Sequence, residues 1–573
     1  MGGEGRGPVR LDELRVLDGP NLYFARPAVK LTLGVPGWLE ARPERVQAAA
    51  ARAGLRAPSR SSVGPARSEQ RRRFVVRVAA HLTRSQAAAA GTRLAVRARP
   101  GPNPDQIVVA FPWRRRSAAQ ALGTEVAGAL DAVFSTRRRA PRVLGEAARR
   151  LLGADPGPAP TVPEPSIPVV AVTGTNGKTT TVRLLAHMVR VAGKSVAYSC
   201  TDGVYLDGEL VEAGDYSGFG GAGKALEQPG ADVAVLETAR GGILLRGIGT
   251  SHNDVAVVTN VTSDHIGLLG IRTLDQLAEV KAAITRITRP DGWDVLNADD
   301  PRVLAMRRTS RGRPWLFSMD PDHPAVRAAV DEGGRGMTVI DGHLTALLPG
   351  RSRRLVAIEQ VPMTLAGISR HNIQNAMAGT AAGLGIGLSV TMVVRALKSF
   401  VLDPETNPGR ANLFELAGRI VVADYAHNEA GLEGLIEICR ALRRPGAEIW
   451  LSYCTAGDRT DEILHAMGYV AGRGADHVAI AELLDYLRGR DREDLVRRLR
   501  AGAEDGGARD VPVFVDELRA VEWMIDRARP GDVVAITPLI QRKVIFALMD
   551  ERGATRVGPD RLRRLVRRAR TGR

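Results

Sequence analysis

Apolar residues recur along the chain with two different periods, which predicts where strands and helices lie. A run of β-branched and small apolar residues at 169–172 is typical of a buried strand, and a glycine turn and a helix through Arg190 follow it. Strands alternating with helices in this way predict a parallel sheet with helices on both faces. The next predicted elements are strands at 195–199, 232–237 and 254–261, a helix at 274–287 and a strand at 293–296.

The alternation of strands and helices restarts near residue 409 and predicts a second open α/β domain. Short strands and turns at 337–361 and a Gly- and Ala-rich helix at 372–384 separate it from the first. Its predicted strands are 420–424, 449–453, 477–481, 511–515 and 532–536, and its predicted helices are 432–442 and 461–471.

The segment 153–165 is rich in proline, which lacks a backbone N–H donor and so excludes regular structure. This composition predicts a semi-rigid linker. A strand at 29–33 and helices at 118–134 and 143–152 predict an α+β domain before it. The whole pattern predicts an N-terminal α+β domain at 1–152, a linker at 153–166, a central α/β domain at 167–405, a C-terminal α/β domain at 406–560 and a basic tail at 561–573.

The 573 residues, 44% of them apolar, suffice for several domains with real cores. The sequence contains no apolar run of about 18 residues and no apolar segment of the signal-peptide kind near Met1, so we expect a cytoplasmic protein without membrane contact. Three cysteines without metal-ligand spacing are expected to fill the core; they are Cys200, Cys439 and Cys454.

The net charge of +17 suits an acidic or phosphorylated substrate, but it also suits solvated arginine-rich faces. We do not expect nucleic acid as a partner, because no aromatic residues interleave the arginine clusters to stack with bases. The clusters lie at 71–73, 114–116, 137–139 and 561–573.

The turn after the first central strand has the residues of a phosphate-binding loop. Gly174 and Gly177 let backbone N–H groups turn toward an anion, and the N-terminus of the next helix adds positive potential. Lys178 can reach the β- and γ-phosphates, and the Thr179 hydroxyl can ligate Mg²⁺. The spacing departs from G-x-x-x-x-G-K-[ST], since Val172 stands where the first glycine would be. We interpret the loop as a variant nucleotide-binding loop.

Two candidate metal ligands follow other central strands at their carboxyl ends, where a nucleotide site is expected. Glu237 ends one strand, and His265 follows another. A lone Glu or His at a strand end is more often a hydrogen-bonded structural residue. Their joint occurrence after a phosphate-binding loop favours metal binding.

Later residues give weaker signals. Asn372 and Asn375 lie in a predicted helix, Arg410 precedes a predicted strand and Asp424 ends it. Asn amides can read an adenine edge and an arginine can place charge on a γ-phosphate, whereas spacing alone favours capping or a satisfied turn. From composition alone, Lys281 is a solvated lysine on an amphipathic helix.

Together these motifs resemble those of the Mur ligases, which include folylpolyglutamate synthetase. The resemblance covers about 166–546, and within it 201–205 and 236–244 are similar to the ligase half of cyanophycin synthetases. Residues 17–23 are similar to the N-terminal domain of those enzymes. The linker stands where they carry an ATP-grasp domain, so no aspartate-adding activity is expected. The motifs are 174–180, 260–265, 297–300, 371–375, 409–410 and 424–427.

The resemblance implies a P-loop Mur ligase central domain and a Rossmann-like C-terminal domain, with ATP and Mg²⁺ bound. Implied catalytic residues are Lys178, Glu237, His265, Lys281 and Arg410, with Lys281 matching a lysine that many Mur ligases carry carbamylated. Implied nucleotide contacts are Gly174, Thr175, Asn176, Gly177, Lys178, Thr179, Thr180, Asn372, Asn375, Arg410 and Asp424. Implied metal ligands are Thr179, Glu237 and His265. Implied contacts of the amino substrate are His427, Asp458 and Arg459.

The implied reaction joins a carboxylate, activated as an acyl phosphate, to an amino acid or other amine. Transfer of arginine to an aspartyl chain is its specific version, with the N-terminal domain binding the acceptor. Two alternatives stay open: a Mur-type ligase for an unrelated biosynthetic substrate, and an ATP-binding regulatory protein that does not ligate. A homo-oligomeric state stays open for any of these functions.

Overall fold

The computed structural model describes residues 8–56, 59–136, 138–264 and 266–571, except the side chain of Arg60. Its strands are β1 (Arg10–Leu17), β2 (Ala28–Gly34), β3 (Arg97–Pro100), β4 (Gln106–Pro112), β5 (Val169–Thr173), β6 (Val196–Cys200), β7 (Gly203–Leu206), β8 (Glu209–Ala213), β9 (Val233–Glu237), β10 (Asn253–Val258), β11 (Thr288–Asn297), β12 (Arg313–Phe317), β13 (Arg335–Ile340), β14 (His343–Leu348), β15 (Arg351–Ala357), β16 (Asn412–Leu416), β17 (Arg419–Ala423), β18 (Ile449–Tyr453), β19 (His477–Ala481), β20 (Val513–Phe514), β21 (Val533–Ile536) and β22 (Thr555–Arg556).

Its α-helices are α1 (Pro36–Glu40), α2 (Pro43–Arg52), α3 (Arg60–Val63), α4 (Glu69–Ala89), α5 (Arg116–Ser135), α6 (Ala140–Leu152), α7 (Lys178–Val191), α8 (Phe219–Leu226), α9 (Arg240–Leu245), α10 (Leu274–Lys281), α11 (Pro301–Ala305), α12 (Pro324–Asp331), α13 (Arg370–Gly385), α14 (Val390–Ser399), α15 (Glu429–Leu442), α16 (Asp461–Gly474), α17 (Arg492–Asp505), α18 (Glu517–Arg527), α19 (Arg542–Glu551) and α20 (Pro559–Thr571). Short 3-10 helices lie at Met306–Arg308, Ile358–Gln360, Pro362–Thr364 and Leu484–Tyr486.

The chain forms two compact units that are interleaved in sequence. The first contains residues 1–166, 217–226 and 238–252, and the second contains 167–216, 227–237 and 253–573. The first unit therefore includes α8 and α9, two helices that the predicted boundaries assign to the central domain at 167–405.

The first unit is built on a four-stranded antiparallel sheet in the order β1-β2-β4-β3, and α4, α5 and α6 pack together beside it. Alternate residues of β2 and β4, such as Leu31 and Val109, are fully buried with Trp38 and Phe74 in one core. This is the α+β architecture that the N-terminal sequence predicts.

Asp18, in the motif at 17–23, joins this sheet to the segment that contains α9. Its buried carboxylate accepts hydrogen bonds from Arg116 Nη1 at 2.7 Å and Arg246 Nη2 at 3.1 Å. A Cβ at the neighbouring Gly19 would lie 1.9 Å from the Ile248 carbonyl oxygen, so only glycine allows this approach. The motif therefore has a structural role within the first unit.

In the second unit, the central sheet has eleven strands in the order β15-β14-β13-β12-β11-β10-β5-β9-β6-β7-β8. The strands from β13 to β6 in this order run parallel, as predicted. The central strands β5, β9 and β6 are buried along their whole length, which is typical of a sheet covered on both faces. Antiparallel hairpins extend the sheet at both ends, so the sheet is mixed rather than wholly parallel.

The C-terminal sheet has seven strands in the order β20-β19-β18-β21-β17-β16-β22. Its centre is parallel, while β16 and β22 add an antiparallel edge. The sequence predicts the five parallel strands. It misses the hairpin strand β16 and the two-residue strand β22.

The predicted helix at 274–287 is too long. α10 begins with a capping box at Thr273 and ends at Lys281. Beyond it, the N–H groups of Ala283, Ile284 and Thr285 donate to carbonyls three residues earlier, so the chain tightens into turns before β11.

The predicted basic tail at 561–573 is wrong as a description of 561–571, because these residues belong to α20. Leu562, Leu565 and Val566 are buried on one face of this helix, which packs against α15. Its arginines lie on the rest of its surface.

The linker after α6 is irregular, as predicted, and all three cysteines are free and buried. Among the described residues, no helix has the length and apolar character required to cross a bilayer.

Candidate functional site

The variant phosphate-binding loop connects the central strand β5 to α7. β5 lies between β10 and β9, so the loop emerges at the middle of the sheet's carboxyl edge. Gly174 has φ +154° and Gly177 has φ +86°. A Cβ at Gly174 would lie 1.8 Å from Thr259 Oγ1, and one at Gly177 would lie 2.2 Å from Asn375 Oδ1. Both glycines are therefore required by neighbours as well as by backbone conformation.

The Lys178 ammonium makes a hydrogen bond within the loop that it could exchange for a bond to a phosphate oxygen. Lys178 Nζ donates to the Thr175 carbonyl at 2.9 Å, and Lys178 forms no ion pair with a carboxylate in the part of the chain that the structure describes. Because Lys178 opens the 14-residue α7, the backbone N–H groups of its first turn also point out of the helix. Lysine, helix terminus and glycine loop together form an anion-binding geometry.

Neighbouring strand ends hold the loop in place. Asn260 accepts from the Asn176 N–H at 2.9 Å through its side chain, and its amide donates back to the Asn176 carbonyl at 3.1 Å. The Thr262 N–H donates to Thr175 Oγ1 at 3.0 Å. Asn260 and Thr262 thus fix the loop by hydrogen bonds that side-chain spacing alone does not reveal.

Glu237 lies beside Thr179, as the sequence predicts for a shared metal site. Its carboxylate is 1% exposed and accepts from Thr179 Oγ1 at 2.8 Å and from Thr201 Oγ1 at 3.1 Å. No arginine or lysine in the described ranges neutralises it. Thr201 is not among the predicted metal-site residues, although its position directly after β6 puts it at the same sheet edge.

Hard oxygen donors around one buried carboxylate suit Mg²⁺, which is usually bound by one or two carboxylates together with substrate phosphates. The described residues contain no group of three His, Cys, Asp or Glu side chains that could hold a metal without phosphate. The donor set of Thr179 and Glu237 therefore fits a metal that arrives with a nucleotide. His265, the third predicted ligand, lies outside the described residues.

Lys281 is 3% exposed, and its ammonium donates to the Gly174 carbonyl from beneath the loop. The interpretation of Lys281 as a solvated lysine is wrong, because α10 turns it toward the loop. The residue lies next to the phosphate-binding turn without lining the cavity described below.

Asp264 joins the central domain to the C-terminal domain near the predicted amine contacts. Arg459 Nη2 lies 3.0 Å from Asp264 Oδ1, and His427 Nε2 lies 3.5 Å from Asp264 Oδ2. Arg459 also donates to Asp458 at 2.7 Å. Two of the three residues predicted to contact the amine substrate, His427 and Arg459, therefore contact the buried Asp264 carboxylate of the central domain, and Asp458 pairs with Arg459.

Arg410 and Asp424 lie together in the C-terminal domain. The Arg410 guanidinium lies 4.5 Å from the ring centroid of Tyr425, and its buried Nε has no hydrogen-bond partner among the described residues. Asp424 accepts from the Ala411 N–H at 2.8 Å. Burial raises the pKa of Asp424 to about 6, although the positive charge of Arg410 and the Ala411 N–H oppose this rise.

One cavity brings the two domains' predicted nucleotide residues together. The N-terminus of α13 is capped by the Ser369 side chain and not by either asparagine. Asn372 and Asn375 line the cavity, where the Asn375 amide donates to Asn372 Oδ1 at 3.2 Å. The cavity volume is about 80 Å³, far below the roughly 300–1,000 Å³ of most ligand pockets. Its lining includes Asn176, Gly177, Thr180, Asn372, Asn375, Arg410 and Asp424.

The remaining predicted residues, which include Gly174, Thr175, Lys178, Thr179 and Glu237, lie along the loop and strand edge next to this cavity. Two side-chain amides, those of Asn176 in the loop and Asn428 in the C-terminal domain, form hydrogen bonds to each other. Asn176 Nδ2 donates to Asn428 Oδ1 at 3.1 Å, and Asn428 Nδ2 donates to Asn176 Oδ1 at 3.0 Å. Asn428 also caps α15.

Comparison with known families matches both domains. Residues 172–383 match the model of the Mur ligase middle domain, and residues 409–539 match the model of the Mur ligase, glutamate ligase domain. The matched ranges contain the loop, Glu237, the helix α13 and the pair Arg410 and Asp424.

Curated relatives match the same part of the chain. The cyanophycin synthetase of Crocosphaera subtropica is 38% identical over 65% of this chain, which spans 42% of that relative's length. The UDP-N-acetylmuramyl-tripeptide synthetase of Deinococcus radiodurans is 30% identical over 65% of this chain and 73% of its own length. The chain thus spans less than half the length of the cyanophycin synthetases that it matches.

Among solved structures, E. coli FolC in complex with DHPP and ADP aligns with 68% of this chain and 90% of its own, at 19% identity and a TM-score of 0.49.

Proposed function

The chain belongs to the Mur ligase family, and on that premise we propose that it is an ATP-dependent ligase that joins a carboxylate to an amine. One observation carries the proposal: residues of the phosphate-binding loop, α13 and the C-terminal pair Arg410 and Asp424 line a single cavity. A loop that serves only as a strand-to-helix turn does not require residues of a second domain around it.

In this proposal the nucleotide base contacts Asn372 and Asn375, whose amides can pair with an adenine edge. The phosphates lie along 174–180. Lys178 exchanges its bond to the Thr175 carbonyl for the β- and γ-phosphate oxygens, and the unpaired Arg410 Nε donates to the γ-phosphate. Because the cavity is only about 80 Å³, nucleotide binding requires the C-terminal domain to move outward first.

Thr179 and Glu237 would hold one Mg²⁺, and Glu237 together with His265 would hold a second. The metal supplies charge neutralisation at the phosphates when it is bound. Lys281 lies under Gly174, and its carbamylation would exchange an ammonium for an anionic metal-side group.

The reaction transfers the γ-phosphoryl group of ATP to an oxygen of the substrate carboxylate, which releases ADP and gives an acyl phosphate. The nitrogen lone pair of the neutral amine then attacks the acyl carbon, the C–O bond to phosphate breaks and the nitrogen loses a proton to solvent, so that inorganic phosphate leaves as the amide forms. Catalysis in such a reaction depends on positioning and charge stabilisation more than on a protein nucleophile. Closure of the two domains excludes water that would hydrolyse the acyl phosphate.

The incoming amine is proposed to lie beside Asp264, His427 and Arg459. Asp264 can accept from an ammonium group, and Arg459 can pair with a carboxylate if the amine is an amino acid. The basic surface favours an acidic acceptor, and a β-aspartyl peptide with arginine is the first substrate pair to test.

The test is phosphate release by purified protein with Mg²⁺ and ATP, across a matrix of carboxylates and amines, with the amide product identified by mass spectrometry. We expect phosphate release only when both substrates are present. Lys178→Ala should lower the rate by about 10²–10³-fold, as expected for the loss of one charge-stabilising group.

Lys194→Ala, an exposed lysine just after the same helix, is the matched control and should leave the rate unchanged. Both variants should keep the wild-type circular dichroism spectrum. Nucleotide binding without amide formation for every substrate pair would favour the regulatory alternative. Undiminished turnover by Lys178→Ala would refute the assignment of the loop.

A further inference from the structure

The first unit contains a cavity of about 570 Å³ that the ligase proposal does not use. It opens where the start of β2 and the end of β4 pair, between the α4–β3 connection, the first turns of α5 and the end of α6. Its volume lies within the roughly 300–1,000 Å³ that ligand pockets occupy. None of its lining residues belongs to the second unit.

Apolar side chains form the interior of this cavity. Phe111, Trp113 and Leu122 are buried in its wall, and Leu94 and Leu151 are half-buried. Trp113 has its only polar atom satisfied, because its Nε1 donates to the Leu17 carbonyl at 3.0 Å. Leu152 is 71% exposed, which is the largest exposed fraction of any large apolar side chain in the described residues. A ligand would cover this apolar surface.

Four exposed arginines surround the opening: Arg26, Arg93, Arg114 and Arg115. The lining contains no Asp or Glu, and none of the four forms an ion pair with a residue that the structure describes. Elsewhere in the same unit, arginines pair with carboxylates, as Arg116 does with Asp18 and Arg150 with Glu125. The cavity mouth is thus a concentrated positive charge without its own counter-charge.

We propose that this cavity binds a small amphipathic anion, with an apolar aromatic or aliphatic body inside and a carboxylate, sulfonate or phosphate group between the arginines. The apolar wall would bury the body of the ligand, and the unpaired arginines would donate hydrogen bonds to its anionic group. The proposal does not depend on the ligase activity, because the site lies wholly within the first unit.

The test compares two fluorescent probes of the same shape on the full chain. 1-Anilinonaphthalene-8-sulfonate carries the anionic group, and N-phenyl-1-naphthylamine lacks it. We expect both probes to bind at one site, the anionic probe at least about tenfold more tightly, since charge-assisted hydrogen bonds add to the apolar contact. Added salt should weaken only the anionic probe.

Two variants separate the apolar and charged contributions. Ala118→Trp places an indole in the cavity and should abolish binding of both probes, whereas Ala121→Trp, on the same helix but outside the lining, should not. Replacing Arg114 and Arg115 by Gln should weaken the anionic probe about tenfold and the neutral probe less than twofold. Replacing the exposed arginines Arg56 and Arg149 by Gln is the charge-matched control.

Binding of the anionic probe that survives Ala118→Trp, or equal affinity for the two probes, would overturn the proposal. So would a chain that dimerises and binds probe only on dilution, because the occupant would then be a second copy. Unfolding midpoints equal to wild type establish that the variants remain folded. A lack of ligase activity does not bear on any of these outcomes.

Discussion

Asp294 is a fully buried carboxyl group on β11 and shows how one residue can make stability depend on pH. It accepts from Thr288 Oγ1 at 2.7 Å and from the Gly312 N–H at 2.9 Å, but no cation faces it. Burial raises the pKa of Asp294 to about 7, against the opposing effect of these hydrogen bonds. Between about pH 4 and pH 7 the folded protein therefore holds a proton that the unfolded chain has lost.

The contribution of Asp294 to the free energy of unfolding should consequently fall as the pH rises from 4 to 7. Asp294→Asn keeps the shape and removes the titration, so the difference in unfolding free energy between variant and wild type should change by on the order of 3 kcal/mol across this range, in favour of the variant at pH 7. Urea unfolding at several pH values measures it. Parallel pH profiles for the two proteins would contradict the prediction.

Gly177 shows how a single residue links the phosphate-binding loop to α13. Gly177→Ala should destabilise the fold and weaken ADP binding, because a methyl group would combine positive φ with a 2.2 Å contact to Asn375 Oδ1. Gly193→Ala is the matched control, since Gly193 has φ +75° but no atom within 4 Å of its Cβ position.

We expect the control to lose only about 1 kcal/mol of stability from backbone strain and to keep its affinity for ADP. Chemical unfolding and calorimetric titration with Mg-ADP give the two quantities. Equal losses in both variants would mean that strain alone, and not the contact with Asn375, makes glycine necessary.

At the scale of elements, periodicity predicts the buried strands well and helix ends poorly. β5, β18 and β19 lie within a residue of their predicted bounds. A short, continuous apolar run is buried on both faces of a sheet, so the ends of the run mark the ends of the strand. The end of α10 is decided by a change to hydrogen bonds between residues three apart. The sequence of α20 predicts a basic tail rather than a packed helix, because its arginines outnumber the three apolar residues that are buried on one of its faces.

Leu565→Ala in α20 should lower the free energy of unfolding by about 2–3 kcal/mol, since Leu565 is 4% exposed and its loss leaves a cavity against the C-terminal domain. Arg567→Ala, at an exposed position of the same helix, should change it by less than about 0.5 kcal/mol. Urea unfolding distinguishes the two. A silent Leu565→Ala would restore the interpretation of this segment as a tail.

At the scale of the whole molecule, Asp202 joins the two domains of the proposed ligase. It accepts from Arg183 Nη2 of α7 at 2.7 Å and from Arg542 Nη2 of α19 at 3.0 Å, and Arg542 also donates to the Pro408 carbonyl at 3.2 Å. Together the two arginines lower the pKa of Asp202 despite burial, which alone would raise it. The carboxylate therefore stays charged and holds the domains together.

Arg542→Gln should lower kcat/KM for ATP about fivefold, the effect of about 1 kcal/mol from a half-buried ion pair that stabilises the closed domains. Arg552→Gln breaks the Arg552–Asp526 pair within the C-terminal domain and is the control. Steady-state phosphate release measures both. An equal effect of the two substitutions would mean that Asp202 does not act through domain closure.

The sequence by itself determined the loop at 174–180, the alternation of strands and helices and the family, because local apolar periods and short motifs are properties of neighbouring residues. The predicted order of strands also puts Glu237 near Thr179, because Glu237 ends one strand and Thr179 follows another at the same edge of one parallel sheet. Only the tertiary structure decided which distant groups meet them. The contact of Asn428 with the loop and the buried position of Lys281 depend on packing between elements, which no local pattern encodes. The cavity of the first unit likewise exists only because β2, β4, α5 and α6 leave a space between them.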